Sequence, residues 1–126
     1  MINFTKDTVF NLKPIDEKDI QRDLVGLFIN GEKVIGAYKT IRDQVIFTNK
    51  RIITIDVQGI TGKRKDYSTL PYSKIQYFSV QTPGFAEMIA DCEMELYFSN
   101  GFKARFEFAG KCNIIDIGRS ISEFVL

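Results

Sequence analysis

Glu93 and Glu95 stand two residues apart in an alternating run, so both carboxylates fall on one face of a strand. Paired carboxylates are the minimum that acid–base chemistry without other titratable groups would need. The sequence contains no histidine, which excludes Ser-His-Asp triads, Cys-His pairs and HExxH zinc sites together. With Lys103 and Arg105 opposite them across a predicted hairpin, Glu93 and Glu95 read as cross-strand ion pairs. Gly59-Ile60-Thr61-Gly62-Lys63 lacks the spacing of a phosphate loop and the hydroxyl residue after its lysine. No catalytic residue, cofactor site or metal ligand set is expected, and the chain reads as a binding protein, not an enzyme.

The cations offer more. Lys63-Arg64-Lys65 beside Gly62 is the densest basic run, and with Lys39 and Arg42 it makes a candidate anion-binding set for phosphate, lipid headgroups or an acidic partner. Lys50-Arg51 beside Asn49 could add to the same patch. Seventeen basic and sixteen acidic side chains leave a formal charge of +1, so there is no overall field to attract nucleic acid, and none is expected as a partner. Phe102-Lys103-Ala104-Arg105-Phe106 interleaves rings and cations as single-strand platforms do, but strict alternation sends the rings inward. Phe85, Met88 and Ile89 fall in the loop from Pro83 to Asp91, too short for a core helix, and mark a candidate subunit or partner interface. Cys92 and Cys112 lack zinc or CxxC spacing and read as reduced thiols.

These groups must be positioned by a mostly β scaffold. With 44% hydrophobic residues over 126 positions, one core and one domain are expected, without repeats or linkers. From Asp16, a plausible N-cap, the stripe Ile20, Leu24, Leu27 or Phe28 predicts a helix over about 17–28 within an N-terminal extension, residues 1–30. Leu24 and Phe28 on that helix are further interface candidates, because a domain already plugged by one helix need not bury a second. The core, 31–126, follows: strands over about 33–41, 44–48, 51–56, 64–70 and 75–81, then the hairpin of Glu93 to Phe98 and Phe102 to Phe108 around Ser99-Asn100-Gly101. Ile114, Ile117, Ile121 and Phe124 at steps of three, four and three predict a C-terminal amphipathic helix. About seven strands and a last helix suggest a partly open barrel plugged by that helix. No run approaches the 20 or so apolar residues of a membrane span, and the first residues carry no secretory pattern, so the expected compartment is the cytoplasm.

The run Asp43-Gln44-Val45-Ile46-Phe47-Thr48-Asn49-Lys50-Arg51-Ile52-Ile53-Thr54-Ile55-Asp56, followed by Gln58-Gly59-Ile60-Thr61-Gly62-Lys63 and Leu70-Pro71-Tyr72-Ser73-Lys74-Ile75, resembles the bacterial pleckstrin-homology-like domain family. The resemblance extends from Gly31 to Leu126. It implies two near-orthogonal antiparallel sheets, seven strands in all, with the C-terminal helix capping one open end. It also implies cyclic homo-oligomers, with protein or peptide partners. Eukaryotic lipid-binding cousins gather several cations on the first strand and its following loop; this chain departs from them with only Lys39 and Arg42 there, next to Asp43.

Overall fold

The computed structural model describes residues 8–82, 92–109 and 114–126. Eight strands follow one another: β1 (Thr8–Pro14), β2 (Val34–Lys39), β3 (Gln44–Thr48), β4 (Arg51–Gln58), β5 (Arg64–Pro71), β6 (Ile75–Gln81), β7 (Cys92–Phe98) and β8 (Lys103–Phe108), before the helix α1 (Ile114–Val125). They form one sheet in the order β5-β4-β3-β2-β1-β8-β7-β6. The sheet does not close, and β5 and β6 are its two edges.

The strand beyond the expected seven is β1. It runs antiparallel to β2 and parallel to β8, joining the meander β2–β5 to the meander β6–β8. Its register slips between Val9 and Leu12, where Asn11 takes a left-handed backbone with φ 55°. Asparagine tolerates that conformation better than other residues with a Cβ, and Pro14 ends the strand. Leu12 of β1 enters the main core.

That core lies between the two meanders. Tyr38, Phe47, Phe106 and Phe108 meet edge to face or tilted, with ring centroids 4.8 Å apart for Tyr38 and Phe108 and 5.8 Å for Phe47 and Phe106, geometries that suit the ring quadrupoles. α1 turns Ile114, Ile117 and Ile121 into it. The helix passes close to β6 at Gly118, where a Cβ would be in van der Waals contact with Val80 Cγ1 at 3.6 Å.

β3 is buried at all five positions, which means both of its faces are covered. Val45 and Phe47 face the main core; Ile46, with Ala37, Ile53 and Ile55, belongs to a second cluster on the outer face. The cover is the N-terminal segment, but it is not the predicted helix. Residues 17–28 form two short 3₁₀ turns, Glu17–Asp19 and Arg22–Leu27, separated by Ile20 in extended conformation. The helix is replaced because the sheet competes for its backbone: Gln44 Oε1 accepts the Gln21 N–H at 3.0 Å and Gln44 Nε2 donates to the Asp19 carbonyl at 2.9 Å. A helix of about twelve residues is marginal alone, and Gly26 weakens it further. The apolar stripe survives the change of backbone: Leu24 is fully buried and Ile20 and Phe28 pack beside it. Leu24 is therefore interior to the chain and offers no surface to a second subunit, while Phe28 is half-buried.

A polar clamp holds the far end of this strap. The Glu32 carboxylate, its side chain fully buried, receives Arg51 Nε at 3.0 Å and Nη2 at 3.1 Å and the Thr48 hydroxyl at 2.6 Å. Arg51 Nη2 also donates to the Leu27 carbonyl at 2.6 Å. Asn49, at the hairpin turn, accepts from the Lys33 N–H at 2.8 Å and donates to the Gly31 carbonyl at 3.0 Å. Burial pushes the Glu32 carboxyl up, but hydrogen bonds from Arg51, Thr48 and the Ile29 N–H, with the guanidinium charge, outweigh it and hold the group below its ordinary value. Tyr72, buried beneath, donates to the Thr48 carbonyl at 2.8 Å.

Candidate functional site

Two turns and the bulge of β1 meet at the end of the sheet opposite the clamp. The β2–β3 turn is closed by the Thr40 N–H donating to the Asp43 carbonyl at 2.9 Å. Asp43 is turned inward, 1% exposed, and its Oδ1 accepts the Val57 N–H at 2.8 Å. The β4–β5 turn needs Gly59 and Gly62, both at positive φ, which a residue with a Cβ would adopt only under strain. Arg42 ties the two turns together: Nη2 donates to the Gly59 carbonyl at 2.5 Å, and the guanidinium lies against Gly62.

Beside this tie, Asn11, Lys13, Lys39, Thr40 and Ile41 line an open recess of about 550 Å³. Lys13 and Lys39 are direct cross-strand partners, so two ammonium groups share one face of adjacent strands. Like charges so placed repel, and among the described residues the recess lining holds no carboxylate to offset them. Among the described residues no ion pair within 4.0 Å engages Lys13, Lys39, Lys63 or Arg64.

Of the candidate anion-binding residues, the structure thus places Lys39, Arg42, Lys63 and Arg64 on strands and turns of one end. Lys65 leaves the group: it lies on the strap side of β5, its Nζ 3.6 Å from Asp23 Oδ2. Lys50-Arg51 does not join the patch either, because Arg51 is the centre of the clamp at the other end. Lys13 was not legible as a member, since only the pairing of β1 with β2 brings it beside Lys39. Phe85, Met88 and Ile89 lie outside the described residues.

The carboxylates do not make an acid–base pair. Glu95 is the register partner of Arg105, and the guanidinium sits among Glu93, which pairs with it directly, Glu107 at 3.5 Å and Glu95 at 3.6 Å. Phe106 is fully buried and Phe102 packs on the core, while Lys103 lies over the Tyr97 ring, 5.6 Å from its centroid. The ring-and-cation run is thus strand patterning. Among the described residues no group of three or more Cys, Asp or Glu is placed to hold a metal ion, and no helix is long and apolar enough to cross a membrane.

Comparison with known proteins agrees with this architecture. The family model of the bacterial PH domain matches residues 3–125. The uncharacterised protein YjqA of Bacillus subtilis is 36% identical over 98 residues, covering 78% of this chain and 77% of that protein. A DUF1696-family protein with a pleckstrin-homology domain from Shewanella loihica superposes with a TM-score of 0.69 at 34% identity, over 94% of this chain and all of that one. A pleckstrin-homology domain from Shewanella amazonensis does so with a TM-score of 0.60 at 33% identity, over 89% and 90%. The chain belongs to the bacterial PH domain family.

Proposed function

We propose that this bacterial PH domain is a non-catalytic interaction module that assembles into a cyclic homo-oligomer and binds protein or peptide partners. The observation that carries the reading is the β6 edge. Ile75-Gln76-Tyr77-Phe78-Ser79-Val80-Gln81 contains no charge and no proline, and among the described residues β6 has a strand neighbour on one side only. Exposed edges are ordinarily guarded by charge, proline or a cover; an unguarded one is a template for another strand. The other edge, β5, carries Arg64, Lys65 and Asp66 and ends at Pro71.

The two edges are unlike, so contact between them is head to tail, and such a contact generates a ring when its rotation closes. The strap offers a second surface for assembly: Val25, Leu27 and Ile29 are 70%, 45% and 57% exposed, directed away from the sheet that buries Leu24.

The edge is tested by charging it. Gln76 and Gln81 are both exposed, so Gln76→Lys with Gln81→Lys leaves the core intact. The double variant is expected to lower the solution mass and to melt as an intact domain. An unchanged mass would remove β6 from the interface.

A further inference from the structure

We propose that the inward face of β4 and β5, at the end away from the clamp, binds the ammonium group of a lysine side chain from a protein partner. Along this face the side chains change in character from one end to the other. Ile52 and Leu70, paired across the two strands, belong to the main core. Thr54 and Ser68 pair next, and Asp56 and Asp66 after them, all on the same side because strand side chains alternate. Like charges directly opposite each other in a ladder destabilise it. Asp43, one residue before the pair Gln44 and Ile55, flanks Asp56 from β3, and its Oδ1 accepts the Val57 N–H. Three carboxylates thus lie in a row across three strands.

A second observation points to a ligand. Asp56 is 7% exposed, and its two oxygens differ. Oδ2 accepts a hydrogen bond from Gln58 Nε2 at 3.1 Å, whereas Oδ1 is buried and has no hydrogen-bond partner. A buried carboxylate oxygen left unanswered is costly. The neighbouring cations do not answer it. Arg42 donates to the Gly59 carbonyl, and Lys39, register partner of Gln44, stands on the opposite, strap face. Arg64 shares the face with Asp66, but among the described residues no ion pair within 4.0 Å joins it to either aspartate.

The geometry selects the kind of cation. A guanidinium pairs best with both oxygens of one carboxylate, and Asp56 has one to offer. An ammonium is compact and donates in three directions: to Asp56 Oδ1, to the Asp66 carboxylate and to the neighbouring Ser68 hydroxyl. Asp66 is exposed on the edge strand β5 and opens the way from solvent, while the half-buried Gln58 is the side chain that turns aside. From that edge to Asp56 is one strand spacing, about 4.8 Å, which the four-carbon stem of lysine spans. The site rests on the reading of the domain as a protein-binding module, but it requires no second copy of the chain.

The test is a titration of the full chain followed by two-dimensional amide NMR, with Nα-acetyl-lysine methylamide as the probe. Butylammonium, tetramethylammonium and sodium chlorides at matched ionic strength run alongside. The lysine probe and butylammonium are expected to shift the amides of Asp56, Asp66 and Ser68 saturably. Tetramethylammonium, which has no N–H donor, and sodium are not. Asp66→Asn should weaken the lysine probe about tenfold, the value of one hydrogen bond to a charged group, and Asp56→Asn at least as much. Asp66→Asn removes one of two facing charges, so without probe it should melt no lower than wild type. A lower melt would show Asp66 answered within the fold and overturn the proposal. So would an equal response to tetramethylammonium, an affinity for the lysine probe that survives both variants, or no saturable shift at all. Butylammonium binding without binding of the lysine probe would reassign the site to a small free amine. Light scattering of the same samples reports assembly separately, so a monomer that binds the lysine probe would sink only the ring.

Discussion

Lys50-Arg51 and Lys63-Arg64 are the same dipeptide at the same kind of place, each at a hairpin turn of the first meander, and the fold uses them in opposite ways. Arg51 reaches back nineteen residues to a buried carboxylate and also takes the Leu27 carbonyl and the Thr69 hydroxyl. Lys63 and Arg64 meet no carboxylate among the described residues and stay in water. What separates structural charge from available charge is therefore not local composition. It is whether a distant segment, here the strap ending at Glu32, delivers the partner. At the clamp end the Glu32 carboxylate is buried and answered by Arg51 and Thr48; at the other end like charges stand together beside exposed isoleucines.

The sharpest way to break this contrast is to remove the answered charge. Arg51→Ala leaves Glu32 buried without its partner, and breaking such a pair costs about 3 kcal/mol or more. Urea unfolding should show that loss, whereas Lys63→Ala with Arg64→Ala should change stability by less than about 0.5 kcal/mol. Equal effects at the two ends would dissolve the comparison. Acid sharpens it in a second way. Because the folded Glu32 carboxyl titrates below its ordinary value of 4.5, its contribution is present above that pH and is lost as pH falls through the folded value. Melting from pH 6 downward should therefore show wild type losing more stability than Glu32→Gln. A smaller effect is expected at Tyr72→Phe, which gives up the hydrogen bond to the Thr48 carbonyl for about 1 kcal/mol, measured in the same urea series.

Local pattern reported some of this architecture and not the rest, for physical reasons. In β7, alternate burial runs through all seven residues, and strict alternation of apolar and polar residues is what such a half-buried strand requires. α1 was legible because Ile114, Ile117 and Ile121 keep helical spacing. In the strap, Ile20, Leu24 and Phe28 were legible as one apolar stripe, but Leu24 is buried against the sheet and not held for a second subunit, and the backbone answers to Gln44, which no helical propensity registers. β1 escaped because Asn11, at positive φ, and Pro14 interrupt its pattern. With β1 hidden, Lys13 could not be seen beside Lys39. Lys39, Arg42, Lys63 and Arg64 were visible as cations near turns, while the departure of Lys65 depended on Asp23, forty-two residues away. The open edges follow from strand order, which no single run of residues contains.

The most direct test of the proposed function is the solution mass of the purified chain, by size-exclusion chromatography with multi-angle light scattering over a dilution series at two salt concentrations. A cyclic assembly built on the uncharged β6 edge predicts one discrete multiple of 14.5 kDa, held on dilution and little changed by salt. A mass of 14.5 kDa at every concentration would contradict it.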